Sequence, residues 1–250
     1  GALMSQGKQA FPTKEQDFLI HFDYLNHVEI DPKNRIAKVG AGALWSDVQE
    51  AANQHKLAVK VMQASNIFSI GGSLSINCHG WDHKSGTLKE TVRSLLVANA
   101  EGEIKRLFPG DELFDLVIGG LGGFAAILEA ELLLTPNTCM SYDAVEMSVK
   151  DYLSYFRKQV INNEKIGMHY FRLCFDPKQM FETGIALNFF EDSSQGIISD
   201  IPFEPERGNT ADRVKLGVIR RLPQFLSNAW QMERSGSLKE KKIDRNEAMT

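Results

Sequence analysis

The chain has 250 residues, enough for one large domain or two modest ones with a buried core. Hydrophobic residues make up 43%, charged residues 24%, and the net charge is −4, so neither a nucleic-acid footprint nor an anionic-membrane footprint is present. No run reaches the ~18 apolar residues of a membrane helix, the N-terminus lacks a secretory pattern, and three cysteines are too few for a disulfide framework. The expected setting is the reducing cytoplasm, with no nucleic-acid partner and no transmembrane segment.

In chain order, Phe18 to Phe22 reads as a short strand. Val28 and Ile30 alternate before a turn at Asp31-Pro32-Lys33-Asn34, and Ile36 to Val39 returns as a second strand. "WSDVQEAANQHK" has the spacing of a helix, with Ser46 as N-cap, Gln49 three residues on, and Val48, Ala51, Ala52 and His55 on one face. Leu57 to Val61 is strand-like. "VRSLLVANAEGEIKRLFP" reads as a hairpin turning at Ala100-Glu101-Gly102, and "GDELFDLVIGGLGG" opens as a helix capped by Asp111. "FAAILEAELLLTPN" fits a helix or a buried strand equally.

Composition changes near Pro136 to Ser141, where a domain boundary is expected. Beyond it, "SVKDYLSYFRKQV" predicts a helix capped at Ser148 or Asp151. "IGMHYFRLCFD" and "GIALNFFED" predict strands, with Met168, Tyr170 and Arg172 on one face. A Ser/Gly/Pro/Asp-rich loop from Glu191 to Asn209 precedes a helix opening at Pro223. The tail "SGSLKEKKIDRNEAMT" has few apolar residues and no clear stop.

The segment "SIGGSLSINCHGWDHKSG" concentrates the chemistry. Cys78, His79 and His83 suggest a metal, since His79 and His83 would share a helix face, but Gly71, Gly72, Gly80 and Gly86 argue against a helix there. Gly120, Gly122 and Ala125 match a loose dinucleotide fingerprint without the strand that should precede it. Cys78 beside His79 would point to opposite faces of a strand, which disfavours a nucleophile-base pair. Gly71 and Gly72 admit two equal readings: bare amides that approach an anion or a flat ring, or a tight turn.

Taken together, "VGAGALWSDVQEAANQHKLAV", "SIGGSLSINCHGWDHKSG", "VRSLLVANAEGEI" and "DELFDLVIGGLGGFAAILEAELLLTP" resemble, in order, the FAD-binding domain of the vanillyl-alcohol oxidase/p-cresol methylhydroxylase (PCMH) superfamily. "HGWDHKSG" and "NEAM" are similar to its sugar-oxidising branch, the aldonolactone oxidases and the decaprenylphosphoryl-ribose oxidase. The resemblance implies an α+β fold: a PCMH-type FAD-binding domain over residues 4–137 (its second lobe, a mixed sheet with flanking helices), then a partial α+β substrate domain over 141–250. It implies FAD contacts from Ser5 and Gly7 at the phosphates, and from Ala64 at the turn before the glycines. Ile70, Gly71 and Gly72 would turn their amides to the cofactor, with Ser75 and Asn77 facing the same channel. His79 and Gly80 would lie beside the flavin ring, and Ala126 near the adenine.

Met4 stands where some members tether FAD through a histidine, which implies a non-covalent cofactor. The family's preceding lobe is absent, and the chain is expected to be a fragment or reduced member that ends inside the substrate domain. The implied reaction oxidises an alcohol carbon of a sugar, polyol or lactone by hydride transfer to flavin, with His79 as substrate contact or base and an unknown electron acceptor. Tyr170 and Arg172 could face the substrate. The alternative is a non-catalytic domain that keeps the fold and binds flavin weakly or not at all.

Overall fold

The computed structural model describes residues 13–14, 19–192, 224–238 and 241–249. Two antiparallel sheets carry the fold. The first contains β1 (Val28–Asp31), β2 (Ile36–Gly40), β3 (Leu57–Val59), β4 (Val92–Ala98), β5 (Ile104–Leu107) and β6 (Ala126–Pro136), in the order β1-β2-β6-β4-β5 with β3 also on β6. Every pairing in it is antiparallel, which corrects the expected mixed sheet. Three helices belong to this part: α1 (Trp45–Asn53), α2 (Ile70–Ser75) and α3 (Glu112–Val117).

β6 is the 11-residue spine and the segment whose period left helix and strand open. Ala130, Leu132 and Leu134 lie on its core face, and a bulge opposite Leu96–Val97 brings Ile127 onto that face too. On the opposite face Glu129 meets Arg106 at 2.6 Å, His27 at 3.1 Å and Lys38 at 3.4 Å. Burial raises the Glu129 carboxyl, but Arg106, Lys38 and His27 more than offset it and hold it below the usual range.

The chain leaves β6 at Pro136 and enters the second sheet at Cys139. That sheet has the order β10-β7-β9-β8, from β7 (Cys139–Ser148), β8 (Ile166–Leu173), β9 (Thr183–Asp192) and β10 (Lys241–Asp244). Helix α4 (Val149–Tyr155), extended by a wider turn over Phe156–Val160, covers one face. On the other lies α5 (Gln224–Ser237), whose Glu233 pairs with Arg172 of β8. The chain closes with α6 (Arg245–Ala248). Met140, Met168 and Ile185 join Val61, Met62 and Leu74 in one continuous core, so the two sheets share apolar packing.

Several expectations change. Phe18 lies outside the described residues. Leu19 to Phe22 is not a strand: Leu25 N–H bonds the Phe22 carbonyl at 2.9 Å, and Ile20 is left 60% exposed. The cap of α1 is Leu44 rather than Ser46, because the Asp47 carboxylate accepts the Leu44 N–H at 2.9 Å while Ser46 is buried. β7 was missed since both its faces are half-covered, one by α4 and the other by aromatic packing, which erases the alternation that marks a one-sided strand. The tail holds β10 and α6, capped by the Asp244 side chain on Glu247 N–H at 2.8 Å. Beyond Asp192, the expected loop to Asn209 and the helix start at Pro223 lie outside the described residues.

Candidate functional site

Helix α2 forms despite its two glycines because its first turn is anchored from outside. Ile70 N–H donates to the Ala43 carbonyl at 2.9 Å and Gly71 N–H to Ala41 at 2.8 Å, while the Ile70 and Leu74 side chains are fully buried. The amides of Ile70 and Gly71, expected to turn to the cofactor, are thus engaged by the β2–α1 turn. Gly71 is required for packing, since a Cβ there would sit 3.0 Å from that of Ala41.

Gly72 differs. It is exposed, a Cβ on it would meet only Ser69 Oγ at 3.1 Å, and its N–H makes no main-chain bond among the described residues. Ser75 spends its hydroxyl on the Gly71 carbonyl at 2.7 Å and gives its own carbonyl to Leu121 N–H at 2.9 Å. The 119–124 loop is thereby laced to the end of α2, with Gly119 N–H on the Leu74 carbonyl at 2.9 Å. Asn77, at φ +48°, accepts Lys89 N–H through Oδ1 at 3.1 Å, so its amide NH2 points elsewhere. Ile76, Leu121 and Phe124, each more than half exposed, lie along these two segments.

The arrangement is an open strip with one bare backbone donor, one side-chain amide and apolar flanks. It suits a ligand that is part anion and part flat ring. Ala64 is exposed before α2, and Ala126 begins β6 half-buried opposite Ala98. Ser5, Gly7 and Met4 lie outside the described residues.

Past α2, Cys78 is buried, and burial pushes its thiol up to about 11. Roughly one thiol in a thousand would be ionised at pH 8, so native protein should resist a thiol reagent, and the three buried cysteines should react only on unfolding. Labelling of Cys78 in minutes without denaturant would contradict this. His79 is exposed and sits opposite Thr87 in a short bridge. Gly80 has a sharper constraint: a Cβ there would lie 2.4 Å from the Met62 carbonyl oxygen. Among the described residues no group of three or more His, Cys, Asp or Glu could hold a metal ion.

The segment after Gly80 joins the two sheets. Asp82 is buried and receives Arg245 of α6 at 2.6 Å through Oδ2, while Oδ1 accepts the N–H groups of Lys84 and Ser85 at 3.1 Å each. Arg245 also reaches Glu191 at 2.9 Å. Beside it, fully buried Asn246 donates to the Leu57 carbonyl at 3.0 Å and accepts Gln49 Nε2 on its own carbonyl at 3.1 Å. The "WDH" and "RNEAM" segments are therefore one structural unit.

Above this unit lies an open cavity of about 280 Å³. Its walls are aromatic: Trp81 against Tyr170 with centroids 4.2 Å apart, Phe189 6.2 Å from Trp81, and Tyr142 5.4 Å from Phe189. Arg172, 5.3 Å over the Tyr170 ring, pairs with Glu233 at the rim, where Glu247 also lines the opening. The sequence had placed Tyr170 and Arg172 on one strand face. Trp81, Phe189 and Tyr142 were missed, and a large aromatic directly after the His-Gly step was the available signal. His79 does not line this cavity.

Residues 1–107 match the FAD binding domain family. Over 124 residues the chain is 32% identical to the decaprenylphosphoryl-beta-D-ribose oxidase of Mycolicibacterium smegmatis, covering 48% of this chain and 27% of that protein. It is 27% identical over 108 residues to an alditol oxidase of Streptomyces (43% and 26% covered), and 29% identical over 136 residues to a D-lactate dehydrogenase of Archaeoglobus fulgidus (51% and 30%). The matched stretch thus spans between a quarter and a third of these relatives.

Proposed function

The N-terminal part of the chain is an FAD-binding domain of the PCMH type, and from that premise we propose that the chain belongs to a flavoprotein oxidoreductase acting on an alcohol carbon of a sugar, polyol or lactone. Relatives named for a ribose, an alditol and D-lactate all point to a hydroxyl-bearing carbon. The observation that carries the reading is the open strip at Gly72, which lies inside the matched segment. Residues 4–137 hold the cofactor, non-covalently, and residues 141–250 supply the substrate side.

FAD supplies a hydride acceptor when bound. Gly72 N–H and the Asn77 amide would hold it, with Ile76, Leu121 and Phe124 excluding water from its rings. The Trp81–Tyr170–Phe189 wall would seat the apolar face of the substrate, and Arg172 with Glu233 would orient its hydroxyls. His79, exposed and outside the cavity wall, would take the hydroxyl proton on a ring nitrogen from a substrate that reaches beyond Trp81 as the carbon gives up hydride. A second electron acceptor then restores the cofactor.

The alternative, a domain that keeps the fold without flavin chemistry, is favoured by the engagement of the Ile70 and Gly71 amides. Colour separates the two. The proposed function expects a flavin band at roughly 450 nm in the purified protein, or a melting temperature that rises on adding FAD. Gly72→Ala, whose Cβ would meet only Ser69 Oγ, should fold normally and weaken FAD by about tenfold, the ~1.4 kcal/mol scale of one lost backbone contact. A colourless protein that added FAD does not stabilise would overturn the reading.

A further inference from the structure

The loop after Gly80 straddles the free edge of the second sheet. β8 is the edge strand, and its outward His169 N–H donates to the Trp81 carbonyl at 2.8 Å. Adjacent residues of a strand point to opposite faces. Tyr170 therefore meets the Trp81 ring on the cavity face, while His169 turns to the α4 face. There His83, two residues past Trp81, approaches it edge-on with ring centroids 6.4 Å apart. One short loop thus grips both faces of the strand.

The grip is built for neutral rings. His169 Nδ1 donates to Asn188 Oδ1 at 2.9 Å, and Tyr152 OH donates to its Nε2 at 3.0 Å. The Asn188 orientation is set by its NH2, which gives to Asp143 at 2.8 Å and Tyr155 OH at 2.7 Å. His169 is 6% exposed, with both nitrogens committed as one donor and one acceptor. The two nitrogens of His83 are buried with no hydrogen-bond partner among the described residues, and its ring packs edge-on against Phe156 at 6.2 Å.

We infer that His83 and His169 form a proton-sensitive latch on the cavity wall. With both rings neutral the loop stays closed and Trp81 is held on Tyr170; a proton on His83 opens the loop and frees Trp81. A proton on His83 would sit on a buried nitrogen with no acceptor among the described residues, whereas a proton on His169 Nε2 can be given to the Tyr152 hydroxyl once that hydroxyl turns to accept it. The charges facing the pair divide. On the loop Asp82 favours a proton and Lys84 opposes it, but Asp82 is already engaged by Arg245. From β8 and α4 come the rings of His169, Tyr152 and Phe156, and Asp143 is reached only through Asn188.

Burial holds both histidines below the ordinary 6.5. The open loop binds protons near 6.5 and the closed loop resists them, so closure is favoured above that pH and lost as pH falls below it. As a control on the proposed substrate cavity the inference rests on that reading, but its test does not.

In the protein without added ligand, exchange of the His169 amide is followed from pH 8 to 5, together with tryptophan emission in a Trp230→Phe background, where fully buried Trp45 gives a constant contribution beside Trp81. Below pH 6.5, His169 protection, corrected for intrinsic rate, should fall by up to about tenfold per pH unit as the His83 ring takes its proton. Trp81 emission should shift red in step while far-UV dichroism stays constant. His83→Phe should flatten both responses, and His83→Gln provides the same test if the phenylalanine does not fit. A response of wild-type size in both variants, or constant His169 protection to pH 5 in the native fold, would overturn the latch. Failure of FAD binding would leave these readings unchanged and would count against the proposed function alone.

Discussion

Replacing Asp82 by alanine lowers the stability of the fold by about 3 kcal/mol or more, because it leaves a buried guanidinium without its principal partner. The Arg245 side chain is 3% exposed and its bond to Asp82 is 2.6 Å long. Glu191, its other carboxylate, is 41% exposed and takes over only part of the charge. The same substitution also frees the two N–H groups that Asp82 Oδ1 accepts at the Lys84–Ser85 turn. Asp82→Asn keeps an acceptor for that turn and should fall between wild type and Asp82→Ala. The double variant Asp82→Leu/Arg245→Met should recover much of the loss, since removing both charges ends the desolvation cost that a lone one incurs. Denaturant melts of the four proteins decide the matter. An Asp82→Ala midpoint within error of wild type would show that the pair does not carry the junction.

The second large effect is at Gly80. A methyl group there would lie 2.4 Å from the Met62 carbonyl oxygen and 3.3 Å from the Met62 nitrogen. These are main-chain atoms in the core that cannot rotate aside, so Gly80→Ala forces the strand end and the loop apart. The cost should reach the ~3 kcal/mol upper range of overpacking. Because Trp81 and Asp82 follow directly, the displacement should also loosen Trp81 from Tyr170 and redden its emission. Gly102→Ala is the contrast: a Cβ there meets nothing within 4 Å, although its φ of +83° carries a strain cost of about 1 kcal/mol. A Gly80→Ala protein no less stable than Gly102→Ala would refute the close-approach argument.

The two glycine effects and the Asp82 effect separate the roles of the His-Gly step. Gly80 lets the chain pass Met62, Asp82 ties the loop to the chain's end, and Trp81 becomes the cavity wall. His79, in contrast, is exposed.

The local elements were legible in the sequence because their causes are local. Asp31 caps its own turn through Asn34 at 2.7 and 3.0 Å, so β1 and β2 could be read from the turn residues. The Asn99 side chain likewise accepts the N–H of Glu101 at 3.1 Å and of Glu103 at 2.8 Å in the β4–β5 hairpin. The cofactor class was legible too, as an ordered series of motifs rather than any single one. What only the tertiary structure decided are features whose causes lie far away in the chain. Two glycines argue against a helix by propensity, yet α2 forms because Ala41 and Ala43 take up its first amides and the core takes up Ile70 and Leu74. The tail has few apolar residues and no clear stop, yet its Arg245 meets a carboxylate 163 positions earlier. The aromatic residues of the cavity come from four separate segments, and no local pattern of residues records which of them will meet.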